Sequence, residues 1–280
     1  RSSKELLTGP KAEGRLGDFK LINEKASFVI EGPRPSSGYL AYGGLVIDAA
    51  LEGADARTRE DYFEEAGPVI NLQAFRGEKV EVVSAGGAGI PAVVKVSGSL
   101  APVPIVADLF PLQLATGAAA ITYTLDPNAS HLRMDLEITN TGTESVSFQV
   151  GAMFLFGDYV RRYVPGAGFE SAKFGGRTVE LFGGVGRDVA YGWASEKEDT
   201  KIALNILDVF VTIGEPAPVA PGDSMRLTRI LLVTGGSAEE LLQARDAALS
   251  RRRPAGGIEG RIVGLSADDR AGLADVSEVW

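Results

Sequence analysis

Ala120–Phe156 reads AITYTLDPNASHLRMDLEITNTGTESVSFQVGAMFLF. Ile121, Tyr123 and Leu125 alternate with Thr122 and Thr124. Asp126-Pro127-Asn128 ends that run, because proline cannot donate to a ladder and Asp and Asn tolerate turn geometry. Leu132, Met134, Leu136 and Ile138 then take one face, and His131, Arg133, Asp135 and Glu137 the other. A second turn at Asn140-Thr141-Gly142-Thr143 precedes Val146, Phe148 and Val150, which resume the period of two. The spacing predicts an antiparallel meander of three strands with one buried and one wet face. The wet face alternates in charge sign along one strand, which suits mutual neutralisation better than a reactive pair.

Outward from this stretch the same grammar repeats. Phe19, Leu21 and Ile22 oppose Phe28, Val29 and Ile30 across Asn23-Glu24-Lys25, a hairpin pattern. Leu45–Asp48 is a short buried strand. Val80, Val82 and Val83 and then Val93, Val94 and Val96 flank the turn Gly86-Gly87-Ala88-Gly89, which lacks the following helix of a phosphate loop. Further strands are expected at residues 189–193, 202–207, 209–213 and 225–234. One helix stands out: Ser237-Ala238-Glu239-Glu240 forms a capping box, and Leu241, Leu242, Ala244 and Ala248 form its apolar stripe. Arg251, Arg252 and Arg253 suit the negative end of its dipole, and Pro254 stops it. Many short strands with turns about 8–12 residues apart predict an all-β fold, a large antiparallel two-sheet β-sandwich, supersandwich-like, with one C-terminal helix. It should occupy residues 1–254, with residues 255–280 a linker and the start of something new.

Composition narrows the function classes. A chain of 280 residues with 45% hydrophobic content buries a large core. A net charge of −9 argues against nucleic acid as a partner, since a phosphate-binding surface needs clustered Lys and Arg. With no cysteine there is neither a disulfide framework nor a thiolate metal site. No apolar run approaches the ~20 residues of a membrane span, and no apolar signal-peptide core is present. The opening on Arg1 in place of methionine predicts a processed or excised chain.

Candidate site residues fall in three stretches. The segment EGADARTREDYFEEAGPVINLQAF, residues 52–75, carries Asp55, Glu60, Asp61, Glu64 and Glu65, carboxylates of the kind glycoside hydrolysis or a hard cation requires. Their spacing matches neither an EF-hand nor a defined pair, so a solvated loop or helical turn is expected. Residues 31–44 hold Tyr39 and Tyr42 among glycines and prolines, aromatics able to stack on a sugar ring or to cover the end of a sandwich. Residues 157–188 hold Asp158, Tyr159, Arg161, Arg162, Tyr163 and Phe169 in a glycine-punctuated loop. Two arginines beside aromatics are suited to grip a carboxylate or an acidic sugar. Alternatively they lie on opposite faces of an edge strand and pair with surface carboxylates. The sole histidine, His131, starts a strand on its polar face. No Gly-x-Ser-x-Gly elbow accompanies it, and an exposed structural role is expected.

Resemblance adds a context. GGIEGRIV, residues 256–263, resembles the first strand of the carboxypeptidase regulatory-like β-sandwich. LLTGPKAEGRLGDFKLINEKASFVIEG, YGGLVIDA, GIPAVVKVSG and YTLDPNASHLRMDLEITNTGTESVSFQVG are similar to the β-rich N-terminal region of large bacterial cell-envelope proteins. In those proteins such a region precedes regulatory-like modules and often a PHP-type metallohydrolase domain. The meander also resembles the galactose-mutarotase-like supersandwich of sugar epimerases, polysaccharide lyases and glycoside hydrolases. A PHP-type site needs several histidines, and mutarotase-type epimerases use paired histidines with a glutamate. His131 alone matches neither, so the resemblance carries over no catalytic residue, metal or cofactor.

Two functions follow. The first is a non-catalytic β-sandwich module of a secreted, periplasmic or cell-surface protein. It would bind glycan or another envelope component through Tyr39, Tyr42, Tyr159, Arg161, Arg162 and Tyr163, or serve as a scaffold for downstream domains. The second is a carbohydrate-active enzyme, a lyase or hydrolase, using Tyr42, Tyr159, Arg161, Arg162 and Tyr163 with Asp61 or Glu64 as acid. Convergence of the tyrosines, arginines and acids in one cleft would favour the enzyme.

Overall fold

A computed structural model describes residues 6–53, 60–103, 114–157, 159–169, 171–196, 200–206 and 209–251. Its first strands are β1 (Phe19–Ile22), β2 (Ala26–Ile30), β3 (Val46–Leu51), β4 (Glu65–Ile70), β5 (Gln73–Gly87) and β6 (Ile90–Pro102). Then come β7 (Gly117–Leu125), β8 (His131–Asn140), β9 (Val146–Phe148), β10 (Val150–Leu155), β11 (Arg161–Tyr163) and β12 (Thr178–Val179). The last are β13 (Leu181–Val185), β14 (Ala190–Ser195), β15 (Thr200–Ile206), β16 (Val209–Ile213), β17 (Ala217–Val219) and β18 (Ser224–Thr234), followed by helix α1 (Ala238–Ala248).

β7 and β8 form the hairpin that the alternation predicts, with Thr122 opposite Asp135 and Tyr123 opposite Met134. Leu132, Met134, Leu136 and Ile138 are buried, while Arg133 pairs with Asp135 and Glu137 with Arg226 on the other face. The third strand of the expected meander is absent from that face. The run from Val146 divides into β9, which pairs with β17, and β10, which pairs with β4 and β16. The place beside β8 belongs to β18, with Leu136 opposite Leu227. Asn140 marks the exit: its fully buried amide donates to the carbonyls of Glu144 and Val219 and accepts from Gly142 N–H, anchoring the turn to the approach of β18. A period of two states which face is buried but not which strand lies alongside.

Among the described residues sixteen strands share one antiparallel sheet, in the order β11-β13-β14-β18-β8-β7-β6-β5-β4-β10-β16-β15-β12, with β1, β2 and β3 branching from β4. The sheet folds back on itself. Phe154 of β10 packs edge-on against Phe182 of β13 and Trp193 of β14, at centroid distances of 5.7 and 6.1 Å, although those strands lie far along the order. The molecule is thus an all-β sandwich whose two layers are one continuous sheet. Between the layers, the gap bounded by Ala66, Ile121, Tyr123, Met134, Val150 and Trp193 is about 20 Å³, room for about one water molecule.

Helix α1 packs on the outside of β13, β14 and β18, where Ala238 and Leu241 meet Leu181, Ala194, Ile230 and Leu232. Ser237 caps it by accepting from Glu240 N–H at 3.1 Å. Glycines set its seat: a Cβ on Gly183 or Gly192 would come within 2.8 Å of a Leu241 methyl. The helix ends at Ala248, and Arg251 reaches beyond it to pair with the Glu180 carboxylate and donate to Glu196 O. Arg251 therefore serves as an ion-pair partner and not as a dipole cap. Arg252, Arg253, Pro254 and the expected second module at 255–280 lie outside the described residues. No helix among the described residues is long and apolar enough to cross a membrane.

Candidate functional site

β11 is an edge strand of the sheet, pairing among the described residues with β13 alone, in the register Arg161–Val185, Arg162–Gly184 and Tyr163–Gly183. Side chains two residues apart on a strand share a face. Tyr159, Arg161 and Tyr163 accordingly line one open cavity of about 830 Å³ on the outer side of the sheet. Its other walls are the loop Gly166–Phe169, the β13–β14 turn with Gly186 and Arg187, and the start of α1 at Gly236 and Ser237.

Close packing holds these walls together. Val164 N–H donates to Gly168 O and Ala167 N–H to Val164 O, each at 3.0 Å, curling the loop over the strand end. Gly166 and Gly168 sit at φ 74° and 62°, left-handed conformations that glycine adopts without steric cost. At Gly236 a Cβ would stand 2.2 Å from Arg187 O, so only glycine lets the start of the helix touch the turn. The Arg161 guanidinium lies 4.6 Å from the Phe169 ring centroid, and the Phe169 ring packs at 5.3 Å on Tyr163. Tyr159 is 53% exposed, with its ring held edge-on by Tyr62 at 5.4 Å. Neither Arg161 nor Arg187 pairs with a carboxylate among the described residues.

The remaining candidates lie elsewhere. Arg162 points to the opposite face of β11, with its guanidinium 6.0 Å from the buried Phe210 ring. Tyr42 packs against the core and donates its hydroxyl to Pro102 O at 2.9 Å, a structural use. Tyr39 is exposed on its own loop, away from the cavity lining. Asp55 and Asp158 fall outside the described residues. Phe169 and Arg187 complete the site; the alternation that groups Tyr159, Arg161 and Tyr163 is visible in the sequence, whereas Arg187 arrives through the Gly-Val-Gly-Arg turn and carries no pattern of its own.

Of the carboxylates expected in a solvated loop, Glu60 and Glu64 are half-buried, whereas Asp61 and Glu65 are buried, alongside two further acids, Asp48 and Glu31. Asp61 and Asp48 are fully buried, and Glu65 and Glu31 are 2% and 3% exposed. Asp61 accepts from Ala49 and Phe63 N–H, Asp48 from Glu13 and Gly14 N–H, and Glu65 from Leu40 N–H. The bonds tie Glu13, Gly14 and Leu40 to the sheet, which is why tertiary packing overrides the local polar composition. Burial raises all four pKa values, Asp48 to about 6 and Glu65 to about 7, and the adjoining Asp48 adds to the upward shift of Asp61. Glu64 pairs with Lys11. None of these acids lines the cavity, and no cluster able to hold a metal ion occurs among the described residues. His131 is half-buried, its pKa lowered by desolvation, and it too lies off the cavity lining.

No protein-family profile and no curated protein matches the chain. Among solved structures it is similar to the Slr1438 protein of Synechocystis sp. PCC 6803, at 13% identity and TM-score 0.48 over 80% of this chain and 97% of that one. It is also similar to a galactose mutarotase-like protein of Lactobacillus casei, at 11% identity and TM-score 0.47 over 78% and 100%. A galactose mutarotase-like protein of Clostridium acetobutylicum matches at 10% identity and TM-score 0.45 over 77% and 94%. Likenesses this distant carry no argument about the chemistry of this chain.

Proposed function

We propose that the chain is a non-catalytic β-sandwich module of a secreted or surface protein and that it binds carbohydrate through the outer cavity. The observation that carries this reading is the cavity itself: about 830 Å³, large enough for a sugar unit, with the half-exposed Tyr159 ring and two arginines on its walls. An exposed aromatic ring gives a sugar's apolar face a stacking surface, and planar donors order its oxygens. The acids point away from an enzyme. Glycosidic cleavage needs a proton donor beside the scissile bond, whereas Asp61 is spent on backbone N–H groups and Glu64 on Lys11.

A glycan array probed with the chain and its Tyr159→Ala variant tests the reading. Retention of a defined set of glycans that the variant loses, with no shortened products after incubation, is the expected result. Failure of the wild-type chain to retain any glycan would leave the scaffold role in its place.

A further inference from the structure

Resting on the carbohydrate-binding reading above, we infer that the ligand is an acidic sugar, its carboxylate held between Arg161 and Arg187 and its ring laid against Tyr159. The antiparallel register sets these groups side by side. Arg161 stands opposite Val185; two residues further out along each strand come Tyr159 and Arg187. That pairing is close, because a Cβ on Gly186 would stand 3.2 Å from Tyr159 O and 3.0 Å from a Val160 methyl.

Charge decides the ligand class. The chain carries a net charge of −9, and the described salt bridges engage arginines at positions 34, 76, 133, 226, 245 and 251. Arg161 and Arg187 are exposed and, like Arg15 and Arg177, have no carboxylate partner among the described residues; what sets them apart from that pair is that both line the cavity. Stacking on Phe169 restrains the Arg161 side chain without consuming its N–H donors, leaving the planar fork free for a carboxylate. Among the described residues that line the cavity there is no Asp, Glu or His to oppose an anion. A neutral sugar would leave two cations without a counter-charge, whereas a uronic acid supplies one. An acidic peptide would supply the charge as well, but it would leave the Tyr159 ring without a flat apolar partner.

Isothermal titration of the whole chain with trigalacturonate and with neutral galactotriose of the same linkage tests this. Wild-type protein should bind the acidic trisaccharide at least about tenfold more tightly, and Arg161→Gln and Arg187→Gln should each weaken the acidic ligand by about tenfold and the neutral one by about twofold or less, so that the preference for the acidic sugar narrows. Arg161→Lys, which keeps the charge but not the fork, should fall between. Raising the salt to about 0.5 M should narrow the gap between the two sugars. Equal affinity for both sugars would overturn the acidic assignment while preserving the carbohydrate module; binding of neither would overturn both. Thermal melts that match wild type confirm that the glutamine variants report on binding and not on folding. If an acidic hexapeptide bound as tightly as trigalacturonate, the sugar assignment would fall.

Discussion

The Arg161 guanidinium stacks on the Phe169 ring at 4.6 Å from its centroid, fixing a cation at the rim of the cavity without neutralising it. Phe169→Ala should free that side chain. A cation–π contact at an exposed site contributes about 0.5–1 kcal/mol, so affinity for an acidic trisaccharide should drop by about two- to fivefold. Calorimetric titration reads this directly. An unchanged affinity would show that the ring does not position Arg161.

Tyr191 joins three parts of the interior with one hydroxyl. It accepts from Tyr62 N–H and donates to Ala49 O, both at 3.1 Å, from a fully buried position. Tyr191→Phe would leave a buried donor and a buried acceptor unpaired, a loss of about 1–3 kcal/mol. Urea denaturation should show the lower midpoint with the slope unchanged.

Leu241 fits a notch made by two glycines of the sheet, and the notch can be closed from either side. Leu241→Ala empties it and should cost about 2–5 kcal/mol. Gly192→Ala places a Cβ 2.8 Å from a Leu241 methyl and should cost about 1–3 kcal/mol. Because α1 also forms one wall of the cavity, both variants should weaken glycan binding as well as stability. Thermal melts of the two single variants and the double variant would reveal the coupling, since truncating the leucine leaves room for the methyl group that the glycine substitution adds.

The buried carboxyls make stability depend on pH in a definite direction. Their folded pKa values lie above the unfolded range of about 4, at about 6 for Asp48 and about 7 for Glu65. Between those limits the native state binds more protons than the unfolded chain, so stability is greatest at the acid end and falls as pH rises from about 4 through 7. Glu65→Gln removes one contributor and should raise the melting temperature at pH 7.5 more than at pH 5. A melting temperature that climbs steadily over this window would contradict the linkage.

Much of the architecture could be read from alternation and turn chemistry. The hairpin of β1 and β2, the long β5–β6 hairpin around Gly86–Gly89, the β7–β8 pair and the Ser237 cap are all local, and local rules govern them. What escaped was nonlocal. The course of β9 and β10 depends on Asn140 reaching Val219, 79 residues away in sequence. Asp61 and Glu65 resemble loop acids until the backbone N–H groups of Ala49 and Leu40 are brought to them. The same boundary divides the site: the period of two places Tyr159, Arg161 and Tyr163 together and sends Arg162 to the far face, but Arg187 and the start of α1 join them only through the sheet register and the contact at Gly236.

The location of the binding site is the central claim, and amide chemical-shift mapping tests it most directly. On titration of isotope-labelled chain with trigalacturonate, perturbations should concentrate at residues 159–169, 185–187 and 236–237. Shifts centred on the Tyr39–Tyr42 loop or on the charged face of β8, with the cavity walls silent, would contradict it.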